Sequence, residues 1–304
     1  MGLCRDNAMM KTFTPLPLPE RQGLRAWVVG DFVIIGAMNN PKNDPVSEIG
    51  LFGEMGFDYV EITFEAPQAI PEKLADKRKA VLDALHSYNF GVLAHMPWYF
   101  SVAHPYPRVQ EAIDGEFARA FDAAVSLGAK QVTVHTEFMP SGLQERAVHA
   151  AKTVETVKRL SKEAEERGLT LLVENAYASS FSVKEFKLLF SECDVGMTLD
   201  VGHTFTSDGE GLNNYLQQFK KRIRHVHLHD NDRRGDLHLP LGAGKIDVER
   251  SVKELKGFYD GTITLEIHSQ DREYLKISRD KLEILWYGKR KSDENREYLF
   301  PKKC

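Results

Sequence analysis

RHVHLHDN, residues 224–231, sets histidines at every second position and ends on a carboxylate and an amide. In a β-strand, successive side chains point to opposite faces, so His225, His227 and His229 share one face while Val226 and Leu228 take the other. Imidazoles gathered on one face need hydrogen-bond partners or a metal.

Seven more runs have the length and β-branched character of strands: FVIIGAM (32–38), YVEIT (59–63), GVLAH (91–95), QVTVH (131–135), LTLLVEN (169–175), VGMTLD (195–200) and TITLEIH (262–268). Helix-like stretches lie between them. KLADKRKAVLDALHSY (73–88) and ERAVHAAKTVETVKRLSKEAEERG (145–168) repeat apolar residues at three and four positions, and Gly168 stands where a helix C-cap is expected. YLKISRDKLEILWYG (274–288) supplies the closing helix. Eight strand-then-helix units predict an α/β fold, a single-domain (β/α)8 TIM barrel over residues 31–288. An extension, 1–30, carrying TPLPLPE (14–20), is expected to be partly disordered, and a charged tail, 289–304, to be loose. A doubly wound sheet is the rival architecture, but no GxGxxG follows the first strand. GAGK (242–245) is no phosphate loop, because it lacks the upstream glycine and the hydroxyl residue after the lysine.

Composition is that of an ordinary soluble globular protein. The chain has 304 residues, 28% of them charged, and a formal net charge of −4, which provides no global attraction to nucleic acid or membrane. Cys4, Cys193 and Cys304 are scattered along the chain, two of them near its ends, and show neither a disulfide framework nor a CxxC zinc site, so a reducing compartment is the simpler reading. WVVGDFVIIGAM (27–38) is too short to span a bilayer, and the first dozen residues lack the apolar centre of a signal peptide, so the cytoplasm is the default location.

The polar faces of the predicted strands end in His, Asp or Glu at their C-terminal ends, where barrel enzymes build active sites. Nine residues collect there: His95, His135, Glu174, Asp200, His203, His227, Asp236, His238 and Glu266. Each alone has a bland explanation, a hydrogen-bonded core histidine or a capping carboxylate. Nine converging on one mouth repel and desolvate one another unless metal charge offsets the cost. Mixed imidazole and carboxylate donors suit Zn²⁺, Mn²⁺, Fe²⁺ or Co²⁺ better than Ca²⁺ or Mg²⁺.

HMPW (95–98), VTVHTE (132–137), LLVEN (171–175), LDVGH (199–203), HLHDN (227–231), DLHLPLGAG (236–244) and TLEI (264–267) follow one another in an order that resembles the superfamily joining endonuclease IV with xylose-isomerase-like sugar isomerases and epimerases. The resemblance runs from about residue 30 to 285. Its endonuclease branch implies that all nine residues hold three zinc ions, with Glu174 bridging two; such a cluster generates hydroxide at neutral pH, clamps a phosphate and stabilises the leaving alkoxide. Its isomerase branch implies one metal on Glu174, Asp200, His227 and Glu266, with the glutamates shuttling a proton and His203 contacting the sugar. Catalytic roles are therefore expected for Glu174, Glu266 and His203, with one to three divalent ions, Zn or Mn first.

The sequence departs from the nuclease pattern in three places. Val201 and Gly202 stand where the nucleases have threonine and cysteine, LHDND follows His227 where they have an Asn-Asp-Ser/Ala-Lys run, and Thr-Glu follows His135 where they have Pro-Gly. Trp98 and Tyr99, at the position of the nuclease DNA wedge, serve equally as a wall for a sugar ring. No basic, aromatic-interleaved stretch declares a nucleic-acid groove, so a small sugar or sugar phosphate is the expected partner ahead of DNA. His229 is read as a substrate or supporting group, and Arg108 and Lys245 as phosphate contacts weighed against a plain surface role. Glu61 and Glu65 are divided between substrate contact and structure; His86, His149 and Cys193 are expected to be uninvolved, and His104 to order a loop. The narrow preference is phosphoester hydrolysis at a multi-metal site, with a one-metal sugar isomerase or epimerase as the alternative. No interface patch is readable; a homodimer is what such barrels commonly form.

Overall fold

The computed structural model describes residues 32–136, 145–176 and 178–290. The proposed extension 1–30 lies outside these residues, as do most of the tail, Glu137, Cys4 and Cys304.

Eight strands form a closed parallel barrel in sequence order: β1 (Ile34–Met38), β2 (Tyr59–Thr63), β3 (Gly91–His95), β4 (Gln131–His135), β5 (Thr170–Glu174), β6 (Gly196–Asp200), β7 (Ile223–Leu228) and β8 (Thr262–Leu265). Closure is made by β1, which pairs with β2 on one side and β8 on the other. Around it stand α1 (Pro45–Met55), α2 (Pro71–Asp76), α3 (Arg78–Ser87), α4 (Pro107–Ser126), α5 (Arg146–Glu166), α6 (Val183–Glu192), α7 (Leu212–Phe219), α8 (Val248–Lys256) and α9 (Glu273–Tyr287). This is the predicted (β/α)8 TIM barrel, a single domain. Among the described residues no helix is long and apolar enough to cross a membrane.

The alternation of the strands becomes two environments. Val60, Ile62, Val132, Val134, Val226 and Leu228 join the apolar shell beneath the helices, where Phe52, Phe117, Phe186 and Leu282 meet them. The inward residues pair with one another across the barrel. Tyr59 Oη and Thr264 Oγ1 are 2.6 Å apart, and Thr133 Oγ1 and Thr198 Oγ1 are 2.8 Å apart.

Local signals set the helix ends. Asp44 caps α1, accepting from the Ser47 amide, and Ser182 with Glu185 forms a capping box on α6. Gly168 follows α5 at φ +74°, a left-handed conformation that costs residues with a β-carbon. The stretch 73–88 is two helices: Lys77, at φ −100° and ψ 7°, separates α2 from α3 and sends its ammonium to Asp44, 2.6 Å away. β5 stops at Glu174 because the Asn175 side chain takes over the pairing with β6, its Nδ2 donating to Asp200 O and its Oδ1 accepting from Asp200 N, both at 2.9 Å. β8 likewise stops at Leu265, so Glu266 leaves the last rung and turns into the mouth.

Candidate metal centre

Glu174, at the end of β5, is fully buried at the middle of the C-terminal mouth. Its Oε2 lies 3.2 Å from His95 Nε2 and 3.3 Å from His135 Nε2, and these two nitrogens are 3.1 Å apart. Its Oε1 lies 3.1 Å from His227 Nδ1. The same nitrogen is 3.0 Å from Glu266 Oε2 and 3.9 Å from Asp200 Oδ2. One carboxylate thus faces two donor groups, His95 and His135 on one side, Asp200, His227 and Glu266 on the other. Donor atoms of Glu174, Asp200, His227 and Glu266 all fall within 4.8 Å of one another.

A second group sits beside the first. His203, in a 3₁₀ turn directly after β6, places Nε2 3.1 Å from Asp236 Oδ2, and His238 Nε2 is 2.9 Å from the same oxygen. Asp236 and His238 come from the loop after β7. His238 takes a left-handed backbone, φ +47°, which a non-glycine residue adopts at a cost. That loop is tied down by Asp230, whose carboxylate accepts from the amides of Asn231, Gly242, Gly244 and Ile246 at 2.8–3.0 Å. GAGK therefore does cradle an anion, the carboxylate of its own chain.

The donor set fits divalent cations. Asp200 Oδ2, Asp236 Oδ1 and His229 Nε2 are buried without a hydrogen-bond partner, an arrangement that costs about 1–3 kcal/mol per group unless something positive satisfies them. The electrostatics agree. Burial drives the Glu174 and Glu266 carboxyls upward, but the facing histidines, His227 and His135 for Glu174 and His238 and His227 for Glu266, bring both well below the usual range. Burial lowers His238, and Glu266 and Asp236 reverse this, pushing it up to about 9. Such opposed charges at one mouth are the signature of a site built for chemistry or for metal.

A model of the xylose isomerase-like TIM barrel matches residues 51–286. The chain belongs to that family. It is 26% identical over 258 residues to the uncharacterized protein MJ1311 of Methanocaldococcus jannaschii, covering 78% of this chain and 86% of the relative. It is 28% identical over 215 residues to a probable endonuclease 4 of Mycobacterium leprae, covering 66% of this chain and 81% of the relative. Among solved structures, a D-tagatose 3-epimerase-like protein superposes with a TM-score of 0.71 at 24% identity, covering 83% of this chain and 96% of that one, a likeness of fold.

In this family member the mouth opens into a cavity of about 660 Å³. His95, His135, His203, Asp236, His238 and Glu266 line it, with Trp98, Thr63, Glu65 and Lys42 around the rim. Glu174, Asp200 and His227 lie beneath that front row, fully buried. All nine residues singled out from the sequence are therefore brought together. Trp98 is half-exposed at the cavity, whereas Tyr99 packs edge-on against Trp98 and Phe100 outside the lining. Arg108 and Lys245 are exposed and are not among the cavity-lining residues. His229 is fully buried and does not reach the cavity, so a direct substrate contact is not where the structure puts it. His104 orders its loop, accepting from the Tyr106 amide at 3.2 Å. His149 is buried in α5, and Cys193 beside α6.

The sequence left the role of Glu61 open between substrate and structure, and it missed His268. Glu61, inside β2, lies below the mouth, where it accepts from His225 Nε2 at 2.9 Å, His227 Nε2 at 3.1 Å and Thr264 Oγ1 at 2.5 Å. Its inward place in YVEIT was the available signal, since Tyr59 and Glu61 share a face. His268 stacks on His238, ring centroids 4.2 Å apart, and lines the cavity; it follows β8 in the alternation Thr262, Thr264, Glu266, His268.

Proposed function

We propose that this protein is a divalent-metal-dependent enzyme acting on a sugar-phosphate-like substrate, and that it hydrolyses a phosphoester linkage at a multi-metal centre. The observation that carries this reading is the group of His203, Asp236 and His238 beside the Glu174 group: a one-metal isomerase has no need of Asp236 and His238 as ligands. Three positions for ions follow. His95, His135 and Glu174 would hold one; Glu174, Asp200, His227 and Glu266 a second; His203, Asp236 and His238 a third. Bound Zn²⁺ or Mn²⁺ would lower the pKa of water and offset the charge of a phosphoryl group.

The chain's own residues do the rest. Glu174 faces both donor groups and fixes their separation. Trp98 offers a flat apolar wall to a sugar ring, and Lys42 at the rim a cation for a phosphate. A cavity of about 660 Å³ suits a small molecule, which favours a phosphosugar over a DNA duplex. The identity shared with the probable endonuclease 4 of Mycobacterium leprae supports the hydrolytic branch.

The alternative is a one-metal sugar or sugar-phosphate isomerase or epimerase. It is favoured by the compact quartet of Glu174, Asp200, His227 and Glu266, in which two glutamates approach the same His227 nitrogen at 3.1 and 3.0 Å. In that reading they move the substrate proton and His203 contacts the sugar. Elemental mass spectrometry on protein purified without chelator decides between them. Two to three equivalents, reduced in Asp236→Asn together with turnover of phosphomonoesters or phosphodiesters, support hydrolysis. One equivalent indifferent to Asp236→Asn, with conversion of ketoses to epimers, supports the alternative.

A further inference from the structure

Two of the places where the sequence departs from the nuclease pattern meet in space. A β-carbon on Gly202 would run into Cε1 and Nε2 of the His229 ring. Gly202 has φ −61° and ψ −43°, a helical conformation open to any residue, so it is space and not backbone freedom that calls for glycine there. The volume a side chain at 202 would fill is occupied by the imidazole of residue 229.

That imidazole is oriented like its two neighbours. His203 Nδ1 donates to Asn175 O at 2.8 Å, His238 Nδ1 to Glu266 O at 3.0 Å, and His229 Nδ1 to Asp230 O at 3.3 Å. With Nδ1–H directed at a backbone carbonyl, each ring in its neutral, metal-binding form would present a lone pair on Nε2. The three Nε2 atoms surround one carboxylate: 3.1 and 2.9 Å from Asp236 Oδ2 for His203 and His238, and 3.5 Å from Oδ1 for His229. His229 Nε2 and Asp236 Oδ1 are both buried without a hydrogen-bond partner. Lone pairs packed around a carboxylate repel it unless protons or a cation sit among them, and one cation at this point serves all three rings at once. His229 Nε2 also lies 3.2 Å from Asp200 Oδ1, so the ring faces carboxylates of both donor groups.

We propose that His229 is a fourth protein ligand of the distal ion, completing a closed set of His203, His229, Asp236 and His238 for one Zn²⁺-class cation. Four protein donors make a closed, structural site; open positions belong to catalytic ones. The distal ion is then a fixture, while the ions at Glu174 stay accessible through His95, His135 and Glu266, which line the cavity. His229 in this role presupposes the multi-metal reading above.

The full chain, loaded with Zn²⁺, is dialysed against rising chelator and its metal counted at each step, beside His229→Asn and Gly202→Ala. Gly202→Ala keeps every donor and displaces only the ring. Wild type should keep one equivalent at chelator concentrations that strip the others, and both variants should lose that equivalent at roughly tenfold or more lower chelator, with circular dichroism unchanged. Co²⁺-loaded wild type should show the intense visible band of a four-coordinate ion, diminished in both variants. Two or three equivalents in wild type, held identically by His229→Asn with the same Co²⁺ spectrum, would overturn the role of His229 and leave the multi-metal reading standing. A single equivalent in wild type that only Glu174→Gln removes would overturn both.

Discussion

Replacing Glu61 by glutamine tests how the proposed metal ligands are aimed. The carboxylate is fully buried, and three donors converge on it, from His225, His227 and Thr264. Burial pushes its pKa up, but His227 and His225 more than reverse this and hold it well below the carboxylate range, so it stays ionised. Glutamine keeps the shape but turns one acceptor oxygen into a donor. At least one buried N–H then faces another N–H, at about 1–3 kcal/mol, and the charge-assisted bonds weaken as well. The expected loss is about 2–4 kcal/mol. A second effect is chemical. Donating through Nε2 leaves His227 Nδ1 free to face Glu174, Asp200 and Glu266. Opposite an amide N–H, the imidazole moves its proton to Nδ1 and blocks that approach, so Zn²⁺ affinity should fall about 10–100-fold. Urea denaturation of chelator-treated protein reads the first effect and chelator competition for Zn²⁺ the second. Glu61→Asp, which keeps the charge, should retain more of both. A Glu61→Gln protein that competes for Zn²⁺ as well as wild type refutes the orienting role.

Asp230→Asn leaves one acceptor oxygen where four backbone amides converge, and should lower urea stability by about 2–4 kcal/mol while reducing metal content through the loosened loop. Trp98→Ala removes the cavity wall without touching the core; KM for a phosphosugar should rise roughly tenfold with the urea midpoint unchanged. Glu185 titrates at about 2, held down chiefly by its bond to Arg146 and also by Ser182 against the opposing effect of burial. Because the folded pKa is depressed, its contribution is present above the unfolded value near 4.5 and is lost as pH falls toward 2. The stability gap between wild type and Glu185→Gln, about 1–2 kcal/mol at neutral pH after screening of the half-exposed Arg146, should close across that window in urea titrations. Phe186, buried among Phe181, Phe190, Tyr215 and Phe219, should cost about 3–5 kcal/mol on truncation to alanine, read in the same denaturation assay.

The barrel was readable because its strands repeat one pattern. In QVTVH and YVEIT the apolar residues face the helices and the polar ones the interior, and both runs match the strands residue for residue. The break at Lys77 was not readable, since the apolar positions on either side keep helical spacing and only the reach to Asp44 marks the interruption. The nine converging residues were found because a strand end carries its last inward side chain into the mouth, and the order of motifs extended this to the loop residues Asp236 and His238. Long-range partnerships stayed hidden. That Glu61 reaches β7, or that Asp230 gathers amides as far ahead as Ile246, depends on where the closed barrel brings distant segments. For Arg108 and Lys245, charge alone carried no direction, and both are exposed and not among the cavity-lining residues.

The anchoring of Asp230 has a consequence for how such enzymes diversify. Its backbone pairs with Leu239, and its carboxylate gathers the amides of the glycine-rich turn, so residues 230–246 form one self-braced insert on the end of β7. Asp236 and His238 travel on that insert, whereas Glu174, Asp200 and His227 belong to strands. Exchanging that single segment would therefore add or remove Asp236 and His238 together, leaving His203 and the barrel beneath in place.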